Sequence, residues 1–523
     1  MYEQEAGKKI VRIACVQLKH TFPTMFDKVV LPRYGLPLIG SILQNAGYEV
    51  KVFDEHVAPV DEKWVSESDI LLLSALTGAA NRTYEFAAWA KVKNPNIVTI
   101  MGGEHATNFI EESLDWVDFV IRGEGDEAIL SLVEAIENGG PFKELSRVSY
   151  RDNGTCVHNP MNSSPADLGE TYDIDIIHKY PKERTWGMLT KHKKTKVVAV
   201  QASRGCPFSC SFCIVHRLFG RSYRYRDTES IIDDIREKLA YGKDFLFVDN
   251  LFTGSSQKAG RILDRMIEEG FGKVAEFSAF SRIHVAENPE MLKKLRKAGF
   301  RTLIMGIESL DNDTLNRVNK QQSLDKINKA IKAFHDAGLF ISATYVVGNE
   351  EDGPGSVDRI VKFSVDNNFS QIILLSFWAY PGDTETPLFS ERLIMTSFDY
   401  FGGNYVVHFP KRMKPSTLQL EMMQGSKEFW SLKRCLKNAL KLNFRTAINI
   451  LFHHYSYRGI WRQQVQYAAY LESIEQDYYD KEENLIFERI RNRRLDPIVE
   501  RASKVSGLTI NRQLQEEYAP QRL

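Results

Sequence analysis

Ten residues constrain this chain more than any others: Arg204-Gly205-Cys206-Pro207-Phe208-Ser209-Cys210-Ser211-Phe212-Cys213. Three cysteines stand in a CxxxCxxC spacing directly after the apolar run 197–200. That run reads as a short buried strand, which puts the thiols on the loop leaving it. In α/β proteins such loops carry the chemistry. Three thiolates hold three irons of a [4Fe–4S] cube and leave the fourth iron without a protein thiolate. An open iron can bind a substrate or cofactor directly. The other reading is zinc, with His216 as a fourth ligand, because a structural zinc site takes four protein ligands.

The remaining cysteines are scattered. Cys15, Cys156 and Cys435 form no motif, and six cysteines in 523 residues are too few for a disulfide framework. The expected compartment is reducing and cytoplasmic. Lys+Arg and Asp+Glu are both 68, so no global field selects nucleic acid or a membrane. The polar start shows no secretory signal, and no apolar run is long enough for a transmembrane segment.

Residues 10–18, 49–54, 69–76, 97–101 and 118–122 read as strands, with helical patterns at 36–45, 84–92 and 128–138 between and after them. This alternation predicts an α/β, doubly wound, Rossmann-like parallel sheet, whose ligands bind at the carboxyl ends of the strands. Glycines gather at those ends: Gly78, Gly102, Gly103, Gly123 and Gly125. A hairpin is expected around Asn153-Gly154. The polar stretch 163–181 reads as a domain crossing. From residue 197 strand and helix alternate again, giving six βα units up to about 377. Polar residues end these strands: Asp249 and Asn250, Ser281 and Arg282, Glu308, and Gly348. Asp or Glu there can accept an ammonium group or ribose hydroxyls, and Arg282 can pair its fork with a carboxylate. From about residue 391 the pattern turns mainly helical, at 416–441, 444–455 and 463–474. The aromatic and basic run 452–461 lines an entrance, touches lipid, or simply caps the barrel.

The cysteine loop resembles the signature of the radical S-adenosylmethionine (SAM) superfamily. Phe247-Val248-Asp249-Asn250, Gly306-Ile307-Glu308-Ser309 with Leu315 and Asn319-Lys320, Tyr345-Val346-Val347-Gly348 and Pro381-Gly382-Asp383-Thr384 look like its later strand motifs. The resemblance implies a partial (β/α)6 barrel of TIM type, with Cys206, Cys210 and Cys213 as ligands of a [4Fe–4S] cluster. It implies SAM contacts from Phe212, Asp249, Asn250, Ser281, Arg282, Glu308 and Gly348. The first third is similar to the cobalamin (B12)-binding domain of cobalamin-dependent radical SAM enzymes. The matching pieces run from Leu73 through Thr77 to Asn81, over Gly102-Gly103-Glu104-His105, and over Arg122-Gly123-Glu124-Gly125. Thr77, Asn81, Gly102, Gly103, His105, Gly123, Glu124 and Gly125 are the implied cobalamin contacts. The DxHxxG motif that supplies a cobalt-ligating histidine in related domains is missing from the loop 20–33. Asp54-Glu55-His56 follows the second strand, with Pro59 where the motif needs glycine. Base-off cobalamin without a protein histidine is therefore expected.

These readings divide the chain into a B12-binding-like domain at 1–165, a radical SAM core with its leading linker at 166–390, and a mostly helical domain at 391–523. They imply reductive cleavage of SAM to a 5′-deoxyadenosyl radical. Methyl transfer from methylcobalamin to an unactivated carbon of a small-molecule or lipid substrate is the expected outcome. Cyclisation, rearrangement or methylthiolation is the alternative, and a non-catalytic corrinoid or Fe–S carrier is another. The implied electron donor is a flavodoxin or ferredoxin, and no nucleic-acid partner is expected.

Overall fold

The computed structural model describes residues 12–24, 27, 29–161, 168–169, 171–183, 195–220, 222–378, 392–395 and 397–479. The expected Pro381–Thr384 motif and the chain's last residues lie outside them.

The first sheet is built from strands β1 (Arg12–Gln17), β2 (Glu49–Asp54), β3 (Ile70–Ser74), β4 (Val98–Gly102), β5 (Phe119–Ile121), β6 (Val148–Asp152) and β7 (Thr155–His158). Its order is β2-β1-β3-β4-β5-β6-β7. The first five strands are parallel, and the hairpin β6–β7 adds an antiparallel edge. The strands are apolar on both faces because helices cover both, as a parallel sheet requires. Helix α1 (Gly35–Asn45) ends where Gly47 takes a φ of +98°, which glycine adopts without penalty. Helices α2 (Ala80–Lys93), α3 (Gly103–Asn108) and α4 (Ala128–Glu137) follow the next strands.

The stretch after the hairpin is no loose linker where it is described. Tyr172, Ile174 and Ile176 are buried, the Tyr172 ring meets Tyr34 edge-on at 5.1 Å, and Ile177 bridges to Val52. The chain crosses between domains while packed on the first sheet.

The second sheet has six strands, β8 (Val198–Val200), β9 (Asp244–Phe247), β10 (Glu276–Ser281), β11 (Phe300–Glu308), β12 (Phe340–Val347) and β13 (Gln371–Ser376). They pair in sequence order and every pair is parallel. Helices α5 (Val215–Phe219), α6 (Thr228–Lys238), α7 (Ser256–Glu268), α8 (Pro289–Lys297), α9 (Leu324–Asp336) and α10 (Ser356–Asp366) connect them. This is the partial barrel that the sequence predicts. Phe300 sits against Phe247, Phe252 and Phe277, with ring centroids 5.3 to 5.7 Å apart. Asp227 caps α6 by accepting from the backbone of Glu229 and Ser230.

Four helices end the described chain: α11 (Pro415–Phe429), α12 (Leu432–Leu440), α13 (Phe444–Ser456) and α14 (Arg458–Tyr479). The single helix expected over 416–441 is broken at Trp430–Ser431. The Ser431 side chain accepts from the backbone of Arg434 and starts a new helix. Ser416, expected as a cap, instead donates its hydroxyl to buried Glu475 at 2.7 Å.

Candidate active site

The cysteine loop is held from two sides. After β8 the chain bends so that Ala202 N lies 3.2 Å from Asp249 Oδ2, and the Ser203 hydroxyl donates to the same carboxylate. Gly205 N donates to Asn250 Oδ1 at 3.0 Å. On the far side Ser211 N donates to the carbonyl of Val318 at 3.2 Å, and the Asn319 amide reaches both Ser209 oxygens at 3.0 Å. Gly205 has a φ of +88°, and a Cβ there would stand 2.0 Å from the Ser222 carbonyl oxygen. Only glycine fits that crossing. Asp249 and Asn250 thus fix the loop's backbone. Burial raises the Asp249 carboxyl to about 6.

Cys210 is buried, Cys206 and Cys213 are half-buried, and all three are free thiols. Burial pushes Cys206 up, with Arg282 and Lys320 pulling the other way. Burial pushes Cys213 up to about 11, and the neighbouring thiols add to the rise. Two cations face this group. Arg282 Nη1 is 3.3 Å from Cys210 Sγ, and its guanidinium lies 3.9 Å from the centre of the Phe208 ring. Its other nitrogen donates to the Lys320 carbonyl. Lys320 Nζ is 2.6 Å from Glu308 Oε1 and 5.8 Å from the Phe212 ring centre. Arg282, Phe212 and Glu308, expected on separate strands and loops, therefore converge beside the thiols.

This donor set fits an iron–sulfur cube. Three thiolates crowded together repel one another, and Arg282 and Lys320 are placed to offset their charge. Among the described residues no three His, Cys, Asp or Glu side chains gather at the spacing of ligands to one ion. A cube does not ask for that, since each thiolate takes a different corner. Both ring nitrogens of His216 are buried without a hydrogen-bond partner among the described residues.

Ser281 and Gly348 close the rim. The Ser281 hydroxyl bonds the Thr253 hydroxyl at 2.8 Å. Gly348 has a φ of +90°, its N–H donates to Asp352 at 2.9 Å, and its carbonyl accepts from His408 Nε2 at 3.0 Å.

The carboxyl edge of the first sheet faces the same loop. Arg204, two residues before Cys206, places Nη1 2.7 Å from Glu124 Oε2 and 2.6 Å from Asp126 Oδ2. Arg224 takes the other Glu124 oxygen. A Cβ on Gly123 would stand 2.8 Å from the carbonyl oxygen of Leu218, on the helix after the cysteines. Gly123 and Glu124 therefore form the joint between domains. Gly125 packs on Ile39 and Gly103 on Ser74, where added Cβ atoms would come within 3.2 and 2.9 Å. Gly102 has more room, its nearest neighbour 3.7 Å from such a Cβ.

His105 is fully buried. Its Nε2 is 2.6 Å from the Tyr84 hydroxyl and its Nδ1 is 3.4 Å from Thr77 Oγ1. Burial lowers it to about 3. Asn81 donates to Ser397 Oγ at 3.2 Å and Asp399 Oδ2 at 3.0 Å, tying the first domain to the last. Nearby, Gln17 Oε1, His20 Nδ1 and Arg33 Nε are buried with no hydrogen-bond partner among the described residues. Buried orphans of this kind are costly. They fit a bulky cofactor fringed with amides, which a corrin is.

Sequence reasoning missed Arg204, Arg224, Phe208 and His408 as site residues. Arg204 stands within the cysteine motif, but its partner is 80 positions away. Nothing local points to the pair.

Two family models match the chain: the radical SAM superfamily over residues 200–356 and the B12 binding domain over residues 28–133. The chain belongs to the cobalamin-dependent radical SAM enzymes. It is 27% identical to the anaerobic magnesium-protoporphyrin IX monomethyl ester cyclase of Cereibacter sphaeroides, over 76% of this chain and 68% of that protein. It is 26% identical to the bacteriochlorophyllide d C-8(2)-methyltransferase of Chlorobaculum tepidum, over 76% of this chain and 86% of that protein. The cobalamin-dependent SAM radical enzyme OxsB, solved with aqua-cobalamin and SAM bound, superposes with a TM-score of 0.59 at 15% identity, over 98% of this chain and 80% of that one. The shared fold extends over nearly the whole of this radical SAM enzyme.

Proposed function

We propose that this enzyme methylates an unactivated carbon of a bulky, largely apolar small molecule or lipid, using SAM and a corrinoid. One observation carries the reading: the ion pair between Arg204 and Glu124 clamps the cysteine loop of the barrel to the ligand edge of the B12-binding domain. A cluster held by the cysteine loop and a corrinoid held at the strand ends of the first sheet would then be neighbours. When bound, the reduced cluster supplies the electron that splits SAM, and the corrinoid supplies the methyl group.

The chain's own residues orient and shield. Cys206, Cys210 and Cys213 would hold the cluster. Arg282 and Lys320 neutralise its thiolates, and Glu308 fixes Lys320 through its 2.6 Å contact. Asp249 and Asn250 keep the loop in register. Gln17, His20 and Arg33 offer their orphaned groups to the corrin fringe. Packed domains exclude competing hydrogen donors and other side reactions from the reacting groups. The relatives named above are a magnesium-protoporphyrin IX monomethyl ester cyclase and a bacteriochlorophyllide d methyltransferase, which supports a large planar or polycyclic substrate. The cyclase among them favours a second reading, ring closure at the same site.

Anaerobic reconstitution with iron, sulfide and cobalamin tests the proposal. Turnover that releases both 5′-deoxyadenosine and S-adenosylhomocysteine supports methyl transfer. Deoxyadenosine alone supports ring closure or another radical outcome. Failure of the Cys206→Ala, Cys210→Ala and Cys213→Ala variants to lose the cluster refutes both.

A further inference from the structure

Among the described residues, the last helices carry an apolar face that stays exposed. Helices α12 and α13 pack as a hairpin against the barrel, yet Leu436, Leu440, Leu442 and Phe444 are 61, 77, 76 and 57% exposed. On α12 the exposed leucines recur at i and i+4, and on α13 Phe444, Ile448 and Leu451 follow at i, i+4 and i+7. Each helix therefore presents one apolar stripe outward, and exposed Leu442 joins them across the turn. A contiguous exposed apolar face like this marks a partner.

Charge identifies the partner. From residue 429 to residue 471 the sequence has seven Lys and Arg and no Asp or Glu. Lys433, Lys437 and Lys441 are exposed beside the apolar stripe, and they enter no ion pair among the described residues. A second copy of this face would set like charges against each other. An anionic lipid surface meets both properties at once: the acyl boundary takes the leucines and the headgroups take the lysines.

The hairpin's attachment fixes the orientation. Arg445 Nη1 reaches Glu276 Oε1 at 2.9 Å, Asn449 donates to the Ser370 carbonyl at 3.3 Å, and Arg434 donates to the Phe369 carbonyl at 2.6 Å. Glu276 starts β10, and Phe369 and Ser370 precede β13. The hairpin thus sits at the amino ends of the barrel strands, opposite the cysteine loop. No described helix is long and apolar enough to cross a membrane.

We propose that the α12–α13 hairpin docks this enzyme peripherally on an anionic bilayer, with the cofactor end pointing away from the lipid. The inference is independent of the chemistry at the cysteine loop.

Co-sedimentation of the full-length reconstituted chain tests it, with vesicles of phosphatidylcholine alone and of phosphatidylcholine mixed with phosphatidylglycerol. Binding is expected to the anionic vesicles, to weaken steeply with salt, and to be slight on the neutral ones. The Lys433→Gln/Lys437→Gln/Lys441→Gln variant is expected to bind on the order of a hundredfold more weakly. Leu440→Ser/Leu442→Ser/Phe444→Ser is expected to lose at least about tenfold. These side chains are exposed, so an unchanged melting temperature checks folding, and the salt series on the unaltered chain needs no variant. Failure to bind anionic vesicles, or equal binding to neutral ones, overturns the proposal. So does self-association in sedimentation that the leucine variant abolishes while vesicle binding is absent, which assigns the face to a second copy.

Discussion

Arg204 Nη1 lies 2.7 Å from Glu124 Oε2, and both side chains are buried. The pair joins the strand-end loop of one domain to the cysteine loop of another. Two charges out of water are costly, and removing one partner strands the other. Glu124→Ala, which leaves both Arg204 and Arg224 short of a carboxylate, is expected to cost about 3 kcal/mol in unfolding free energy. Because the loop hangs from Arg204, the variant is also expected to lose iron faster in a chelator challenge. A double-mutant cycle with Arg204→Gln measures the coupling, and a coupling energy near zero would remove the pair as a clamp.

Gly205→Ala tests the crossing of the cysteine loop with residue 222. A Cβ there would meet a backbone oxygen at 2.0 Å, and backbone cannot swing aside as a side chain can. The expectation is a folded chain with unchanged secondary structure by circular dichroism but less than one tenth of the iron after reconstitution. Full iron content would show that the loop tolerates a different path.

The six parallel strands and the polar residues at their ends were legible because both follow local rules: apolar runs of four to eight, then a turn. Residues 49–54 matched a strand end to end. The break at Ser431 was not legible, since helical periodicity continues through it and only the capping bond of Ser431 decides. Arg282 was legible as a strand-end cation. Its contact with Cys210 was not, because the two are 72 positions apart and meet only when the barrel closes. The same holds for Glu124, whose RGEG setting reads as a ligand loop while its carboxylate is taken by Arg204 and Arg224.

Arg282 stands 3.3 Å from Cys210 Sγ, where its positive charge favours the more negative, reduced state of a cluster. Hydrogen bonds to cluster sulfurs raise the reduction potential. Arg282→Met is therefore expected to shift the potential downward by on the order of 50 mV, taking about 1 kcal/mol of differential hydrogen-bond strength. Potentiometric titration followed by electron paramagnetic resonance reads the shift. An unchanged potential with lowered iron content would mean that Arg282 only packs on Phe208.

His408 gives the fold a pH dependence with a definite sign. It is buried, its Nε2 donates to the Gly348 carbonyl at 3.0 Å, and burial lowers it to about 4 from an ordinary 6.5. Above pH 6.5 the imidazole is neutral in folded and unfolded chains alike, so its contribution to stability is fully present. As the pH falls from 6.5 toward 4, the unfolded chain takes up a proton that the folded chain refuses, and stability is lost. The loss attributable to this one group is about 3 kcal/mol by pH 4. Glutamine keeps a donor for Gly348 but does not titrate. In urea unfolding of the cluster-free chain from pH 7 to pH 4, His408→Gln is expected to start less stable and to lose less. If the two acid limbs run parallel, His408 is protonated in the folded chain and its burial does not set the slope.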